Sequence, residues 1–192
     1  MKADLILQTA VSHFAKEGYD GASLSKIAEE VGIKKPSIYA HYKGKDDLFL
    51  SALNYSLDTQ KAQFATYFYS MKNASLEALL YGYFEWFAKE SQVNERMKFI
   101  LRAAYFPPLK HEKEVEKLFN PFFDSLHLHL TRMLRERHRY EKVLYSEDFS
   151  DMALAYLTMT EGTMIELVYT GIERYNKRLH AVWPIFWRGL TK

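Results

Sequence analysis

Cysteine is absent from the 192 residues. That excludes a disulfide scaffold, a thiolate metal site and a cysteine nucleophile together. Arginine is absent from the first 50 residues, so every basic contact made there must come from seven lysines, which seven acids balance. The whole chain carries a net charge of only +2, too little to coat nucleic acid through bulk attraction. No apolar run approaches the ~18 residues of a membrane span. The first residues, MKADLILQTAVSHFA, superficially resemble a signal peptide, but the apolar run is short and Asp4 interrupts its start. They read as a helix of the mature protein, and the expectation is a soluble cytoplasmic protein with no membrane partner. Strand-type alternation, internal repeats and low-complexity stretches are missing. So are a nucleophile–base pair, a glycine-rich phosphate loop and a paired-carboxylate motif, so neither an enzyme nor a cofactor is expected. His127 and His129 are two residues apart and point to different faces of a helix, whereas helical metal ligands want a spacing of three or four. No metal site is expected.

What is present is apolar and helical. Hydrophobic residues make up 48% of the chain and aromatics 16%, and most of the aromatics lie after residue 60. Periodicity and stop signals predict an all-α protein of about nine helices. The expected segments are 3–17, closed by Gly18; 24–31; Lys35 to Tyr42; Lys45 to about Met71, which holds neither Pro nor Gly; a segment capped by Ser75; Asn94 to Tyr105, stopped by Pro107 and Pro108; Lys113 to Arg139, bent or interrupted at Pro121; one after Ser146, to about Gly171; and Ile172 to Leu190. The arginines closing the seventh of these read as a solvated helix end.

The densest signal lies between Ser23 and Leu48. Leu24, Ile27, Ala28 and Val31 occupy one face of a helix. Ser23 precedes that face, where its hydroxyl can cap the first turn. Gly32 follows where a positive φ would stop the helix. Pro36 stands where a second helix would begin, its φ already set. Ile38 turns back toward the first helix and leaves Lys34, Lys35, Ser37, Tyr39 and His41 facing out. Residues 34–45 contain four lysines and no acid, a focused cationic spot in a neutral head. Two short helices around a glycine turn, with a polar cationic outer face, have the shape of a helix-turn-helix DNA reader. The N-terminal end of the second helix is the end that meets base edges. There Lys34 and Lys35 can donate to guanine, Ser37 can bond either base type, and Pro36 can touch a thymine methyl. The plainer reading is that the lysines solubilise an exposed face and that Tyr39 and Tyr42 pack in a small core. For Tyr42 the plainer reading is preferred.

Ser23-Leu24, Ile27-Ala28, Val31-Gly32-Ile33, Ser37-Ile38-Tyr39, His41-Tyr42, Lys45 and Leu48 resemble, without a gap from Gly18 onward, the N-terminal signature of the TetR family of bacterial repressors. The resemblance covers roughly the first quarter of the chain; the rest agrees only in length and helical character. It implies a homodimeric repressor that binds a palindromic double-stranded DNA operator through residues 1–46 and is released by a small effector bound in the helical body, residues 47–192. It also implies that Tyr39, His41 and Lys45 clamp the DNA backbone, and Ser23 joins the expected DNA-facing set. Two departures stand out. Lys34 occupies a position where the family often has a capping Ser or Thr, and lysine cannot accept a backbone N–H. Ala22 stands where a Thr is common, which removes one phosphate contact.

The body is unusually aromatic, and large pockets are typically apolar with a few polar anchors. Phe68, Phe84, Phe87, Phe99, Tyr105, Phe106, Phe122 and Phe123 are the expected lining for a small hydrophobic effector, aromatic or cationic ones included. Arg102, His129 and Glu161 are the expected anchors. For any single ring, ordinary core packing is the plainer reading. The last two helices carry Leu154, Leu157, Ile165, Leu167, Val168, Leu179, Val182, Ile185, Phe186 and Trp187, enough apolar surface to predict dimerisation there. The alternatives are a helical ligand-binding protein and an architectural DNA binder, neither with effector switching.

Overall fold

The computed structural model describes residues 2–91 and 95–191. Among them are α1 (Lys2–Gly21), α2 (Leu24–Val31), α3 (Lys35–Tyr39), α4 (Lys45–Ser70), α5 (Leu76–Ser91), α6 (Glu95–Tyr105), a 3-10 turn (Leu109–His111), α7 (Glu112–Glu141), α8 (Phe149–Thr170) and α9 (Ile172–Leu190). Outside the helices, the described residues hold one isolated antiparallel bridge, Leu144 with Thr191. The all-helical class and the helix number match the expectation. Three boundaries differ. The recognition helix is one short α-helix ending at Tyr39 rather than Tyr42, because Ala40 and His41 close in a turn onto the Ile38 carbonyl. Pro121 lies inside α7 and does not interrupt it. The helix expected after Ser146 begins at Phe149, with Asp148 at its N-cap making no side-chain cap bond, and the Ser146 hydroxyl donates to the Asp148 carboxylate and accepts from the Asp148 N–H. The expected start at Asn94 lies outside the described residues.

Packing gathers the chain into two compact units: Met1–Gln60 with Asn94–Phe122, and Lys61–Val93 with Phe123–Lys192. This grouping differs from the functional boundary expected between residues 46 and 47, since α6 sides with the N-terminal helices.

In the first unit, Ile6, Ala10, Phe14, Ile27, Ile38 and Leu48 are almost fully buried. Each such side chain stabilises the fold by about 1.5–3 kcal/mol for the larger residues. Phe14 meets Phe49 edge-on at 5.1 Å and stacks near Phe99 of α6 at 5.7 Å. His13 joins α1 to α2: its Nε2 lies 2.8 Å from Glu30, while Nδ1 lies 3.4 Å from Glu17. Gly18 breaks α1 rather than ending it. Its backbone, at φ 73° and ψ −178°, occupies a region that is essentially glycine-only. A Cβ there would stand 2.8 Å from Nη2 of Arg102. The Arg102 guanidinium reaches across from α6 and donates from Nη1 to the carbonyls of Ala15 and Lys16 at 3.3 and 3.2 Å. It satisfies acceptors that the helix break leaves without intrahelical partners.

The second unit is organised on α5. Tyr67, Tyr156 and Tyr175, from α4, α8 and α9, donate their buried hydroxyls to the carbonyls of Leu79, Leu80 and Phe84 at 3.0, 2.8 and 2.8 Å. A buried phenol needs such a partner, because an unmet polar group in the core costs about 1–3 kcal/mol. Burial pushes the Tyr67 phenol up to about 12, so it remains a donor across the physiological range. Ser75 caps α5 as expected, accepting from the Ala78 N–H. Within the arginine-rich end of α7, Arg137 pairs with Glu141 and donates to the Met71 carbonyl, and Glu141 in turn accepts from the Leu76 N–H. That arginine is structural rather than solvated.

Candidate nucleic-acid interface

The helix-turn-helix is built by the local signals that predicted it. Ser23 accepts from the Ser25 N–H at 3.3 Å. Gly32 takes the left-handed conformation, φ 74°, and the chain turns there with the Gly32 N–H on Glu29 O and the Ile33 N–H on Ala28 O. Two amides thus bond back into the last turn of α2 and close it. Pro36 sits in the first turn of α3, and Lys34, at the N-cap, supplies no side-chain cap, as its chemistry requires. Ile38 is completely buried. It pins α3 so that Lys34, Lys35, Pro36, Ser37, Tyr39 and His41 all lie exposed, and Ser23 is half-buried. Tyr42 is buried with its hydroxyl donating to the Ala3 carbonyl at 3.3 Å, the packing role preferred for it. Ala22 is also buried.

Lys45 differs from the other expected contacts. It opens α4, half-buried, with its ammonium 4.6 Å above the Tyr19 ring centroid and donating to the Asp20 carbonyl at 3.1 Å. An ammonium has three donors, so two remain for an anion. Next to it, Asp47 accepts from the Lys43 N–H at 2.8 Å and fixes the entry into α4. Asp46 accepts from the Tyr19 hydroxyl and from Lys110 Nζ, the latter at 2.7 Å, with His111 Nε2 3.4 Å away. These donors, Lys110 first, hold the Asp46 carboxyl far below the usual carboxylate range. Partial burial and the Asp46 charge push the Tyr19 phenol up. Sequence reasoning did not find this cluster, because Lys110 and His111 are some sixty positions from Asp46 and no local pattern joins them.

Residues 6–52 match the profile of the bacterial regulatory proteins of the tetR family. The match lies in the N-terminal head and spans about a quarter of the chain. The TetR family comprises DNA-binding regulators and not enzymes. The biofilm operon icaADBC HTH-type negative transcriptional regulator IcaR of Staphylococcus epidermidis is 37% identical over 59 residues, covering 29% of this chain and 32% of IcaR. The uncharacterized HTH-type transcriptional regulator YuxN of Bacillus subtilis is 42% identical over 57 residues, covering 30% of this chain and 20% of YuxN. The chain thus matches a third or less of these relatives' length. Solved structures agree over the whole chain in fold. A putative TetR-family regulator from Mesorhizobium loti superposes with TM-score 0.76 at 17% identity, covering 100% of this chain and 97% of its own. The transcriptional regulator FadR of Bacillus subtilis, solved in complex with stearoyl-CoA, superposes with TM-score 0.71 at 16% identity, covering 97% and 98%.

The residues expected to line an effector pocket divide between the two units. In the first, Phe99 packs with Phe14 and Phe49, and Arg102 caps α1. Both thus make these contacts within the first unit. Phe122 is buried, whereas Tyr105 and Phe106 are exposed, Phe106 to 74%. In the second, Phe68, Phe84 and Phe87 are buried, with Phe68 and Phe84 flanking Tyr83 and Phe87 beside it. Phe123 is partly exposed. His129 keeps an exposed side, yet its ring packs against Phe64 and Phe68 at 5.7 and 6.1 Å, and this desolvation lowers its pKa. Burial pushes the Glu161 carboxyl up. Within the second unit the structure brings Phe68 and His129 together. Among the described residues there is no cluster of three metal-ligating side chains, and no helix is long and apolar enough to cross a membrane.

Proposed function

We propose that this protein is a ligand-responsive transcriptional repressor that binds a palindromic operator as a homodimer. The observation that carries the reading is the face of α3: a fully buried Ile38 behind, and Lys34, Lys35, Ser37 and Tyr39 exposed in front. Such a face has no packing role and suits the major groove. The name of IcaR, a negative regulator, favours repression. Dimerisation is supported by the outer faces of α8 and α9. Leu154, Tyr169, Val182 and Ile185 are exposed there, and a Cβ on the neighbouring Gly162 would meet nothing. Of the apolar residues expected on this face, Leu157, Leu167 and Leu179 are buried within the subunit and belong to its core. A two-fold pairing of this face would present two recognition helices to two half-sites.

The effector is proposed to be a small hydrophobic molecule held by the aromatic second unit. The stearoyl-CoA complex of FadR supports a long apolar ligand for a body of this fold. The effector would release DNA only by binding one conformation better than the other. Gel-shift titrations with genomic fragments, with and without extract of the host cells, test the reading. The expected result is a sequence-specific shift that some extract component abolishes. Absence of any specific shift rejects repression, and a shift insensitive to every extract fraction favours the architectural alternative.

A further inference from the structure

Of the cluster at the start of α4, only Lys45 belongs to the expected contact set. Three groups of the head and one from far along the chain meet there. The Tyr19 ring carries two ammonium groups over it, Lys45 Nζ at 4.6 Å and Lys110 Nζ at 4.7 Å from its centroid. The Tyr19 hydroxyl and Lys110 both donate to Asp46, in the first turn of α4. The two cations therefore stand no more than roughly 10 Å apart, about one Debye length at 0.1 M salt. Asp46 suits the positive end of the α4 dipole. Beside a DNA phosphate, however, the same carboxylate repels. Of the other groups in reach, Asp20 and Asp47 are acids, the Asp47 carboxylate is already bonded to the Lys43 amide, and His111, 3.4 Å from Asp46, offsets the repulsion only when protonated. Lys110 is half-exposed and lies outside residues 6–52, on the 3-10 turn that follows Pro107 and Pro108.

We infer that Lys110 is a positioning residue for DNA binding: it holds Asp46 against Tyr19 and offsets its charge, so that Lys45 and the amides opening α4 face a phosphate without an opposing carboxylate. The inference rests on the DNA-binding reading above. Lys110 acts through Asp46, and the two must therefore be energetically coupled.

A double-mutant cycle on the full-length protein reads this coupling, using a fluorescent random-sequence duplex at about 50 mM salt, where phosphate contacts are strong. Lys110→Ala is expected to weaken binding roughly threefold and to lower the salt slope by less than the full unit that loss of a direct phosphate contact removes. Lys110→Arg is expected to restore most of the affinity. Asp46→Asn alone is expected to leave binding equal or tighter, and Lys110→Ala in the Asp46→Asn background is expected to be silent. An equal loss in both backgrounds, or no loss in either, overturns the inference. Because the duplex is random, sequence selectivity is not needed to read the cycle. A wild-type protein that binds no duplex at all contradicts the proposed function and takes this inference with it; wild-type binding without coupling overturns this inference alone.

Discussion

Each of the two units has its own means of internal cohesion. The first adds point contacts to its apolar core around Phe14, Phe49 and Phe99. One arginine caps a broken helix beside one glycine, and one histidine lies between two glutamates. The second spreads its cohesion over a continuous aromatic core, with three tyrosine hydroxyls bonded to successive stretches of α5. A surface that reads DNA needs a few side chains held at set positions on a small frame, so its supports are local and specific. An aromatic core gains from many similar contacts, none of which identifies itself. The contrast teaches that the head's residues can be assigned one by one, while those of the second unit act as a set.

The largest effect should come from opening the aromatic core. Phe84 is 1% exposed and lies against Tyr83, Tyr156 and Trp183. Phe84→Ala should lower unfolding free energy by about 3–5 kcal/mol, measured by denaturant titration. A loss below 1 kcal/mol would mean that the core is looser than its packing indicates. Next is Gly18→Ala, which should cost about 1–3 kcal/mol for backbone strain alone. The contact with Arg102 adds to that, and Arg102→Ala in the same chain should recover the clash but not the strain. If Gly18→Ala is neutral, the helix break does not require glycine.

The smallest effect expected is a pH dependence. The folded pKa of His129 is depressed, first by desolvation against its aromatic neighbours and then by Arg132, with Glu136 opposing. The folded state therefore favours the neutral ring, and the unfolded chain binds its proton first. Stability from this site is complete above about pH 6.5, the ordinary histidine value, and falls as pH drops toward the folded pKa. Between about pH 7 and pH 5, wild type should lose more thermal stability than His129→Gln. Equal losses would mean that the ring is as well solvated folded as unfolded.

The head was legible in the sequence because its determinants are near neighbours. A cap at Ser23, a left-handed glycine at 32, a proline in the first turn of α3 and an inward Ile38 each act within a few residues. The short reach of α3 was not legible, since no stop signal marks the turn in which Ala40 and His41 close onto the Ile38 carbonyl. Arg102 illustrates the harder limit. An arginine in an aromatic segment resembles an anchor for a ligand, and only tertiary structure shows its guanidinium on the carbonyls of Ala15 and Lys16. Lys110 and Asp46 are invisible for the same reason. In the second unit, composition indicated a large aromatic core, but one-dimensional spacing cannot say which rings enclose space and which fill it.

Selection of binding sites from a random pool of duplex DNA tests the central claim, that α3 reads sequence for a two-fold symmetric protein, most directly. The account predicts enrichment of an inverted repeat whose half-sites are centred about 34 Å apart, one turn of DNA, or a multiple of it, and a changed preference when Lys35→Ala or Ser37→Ala is used. A pool that stays random after selection, or a preference unaltered by both substitutions, would contradict it.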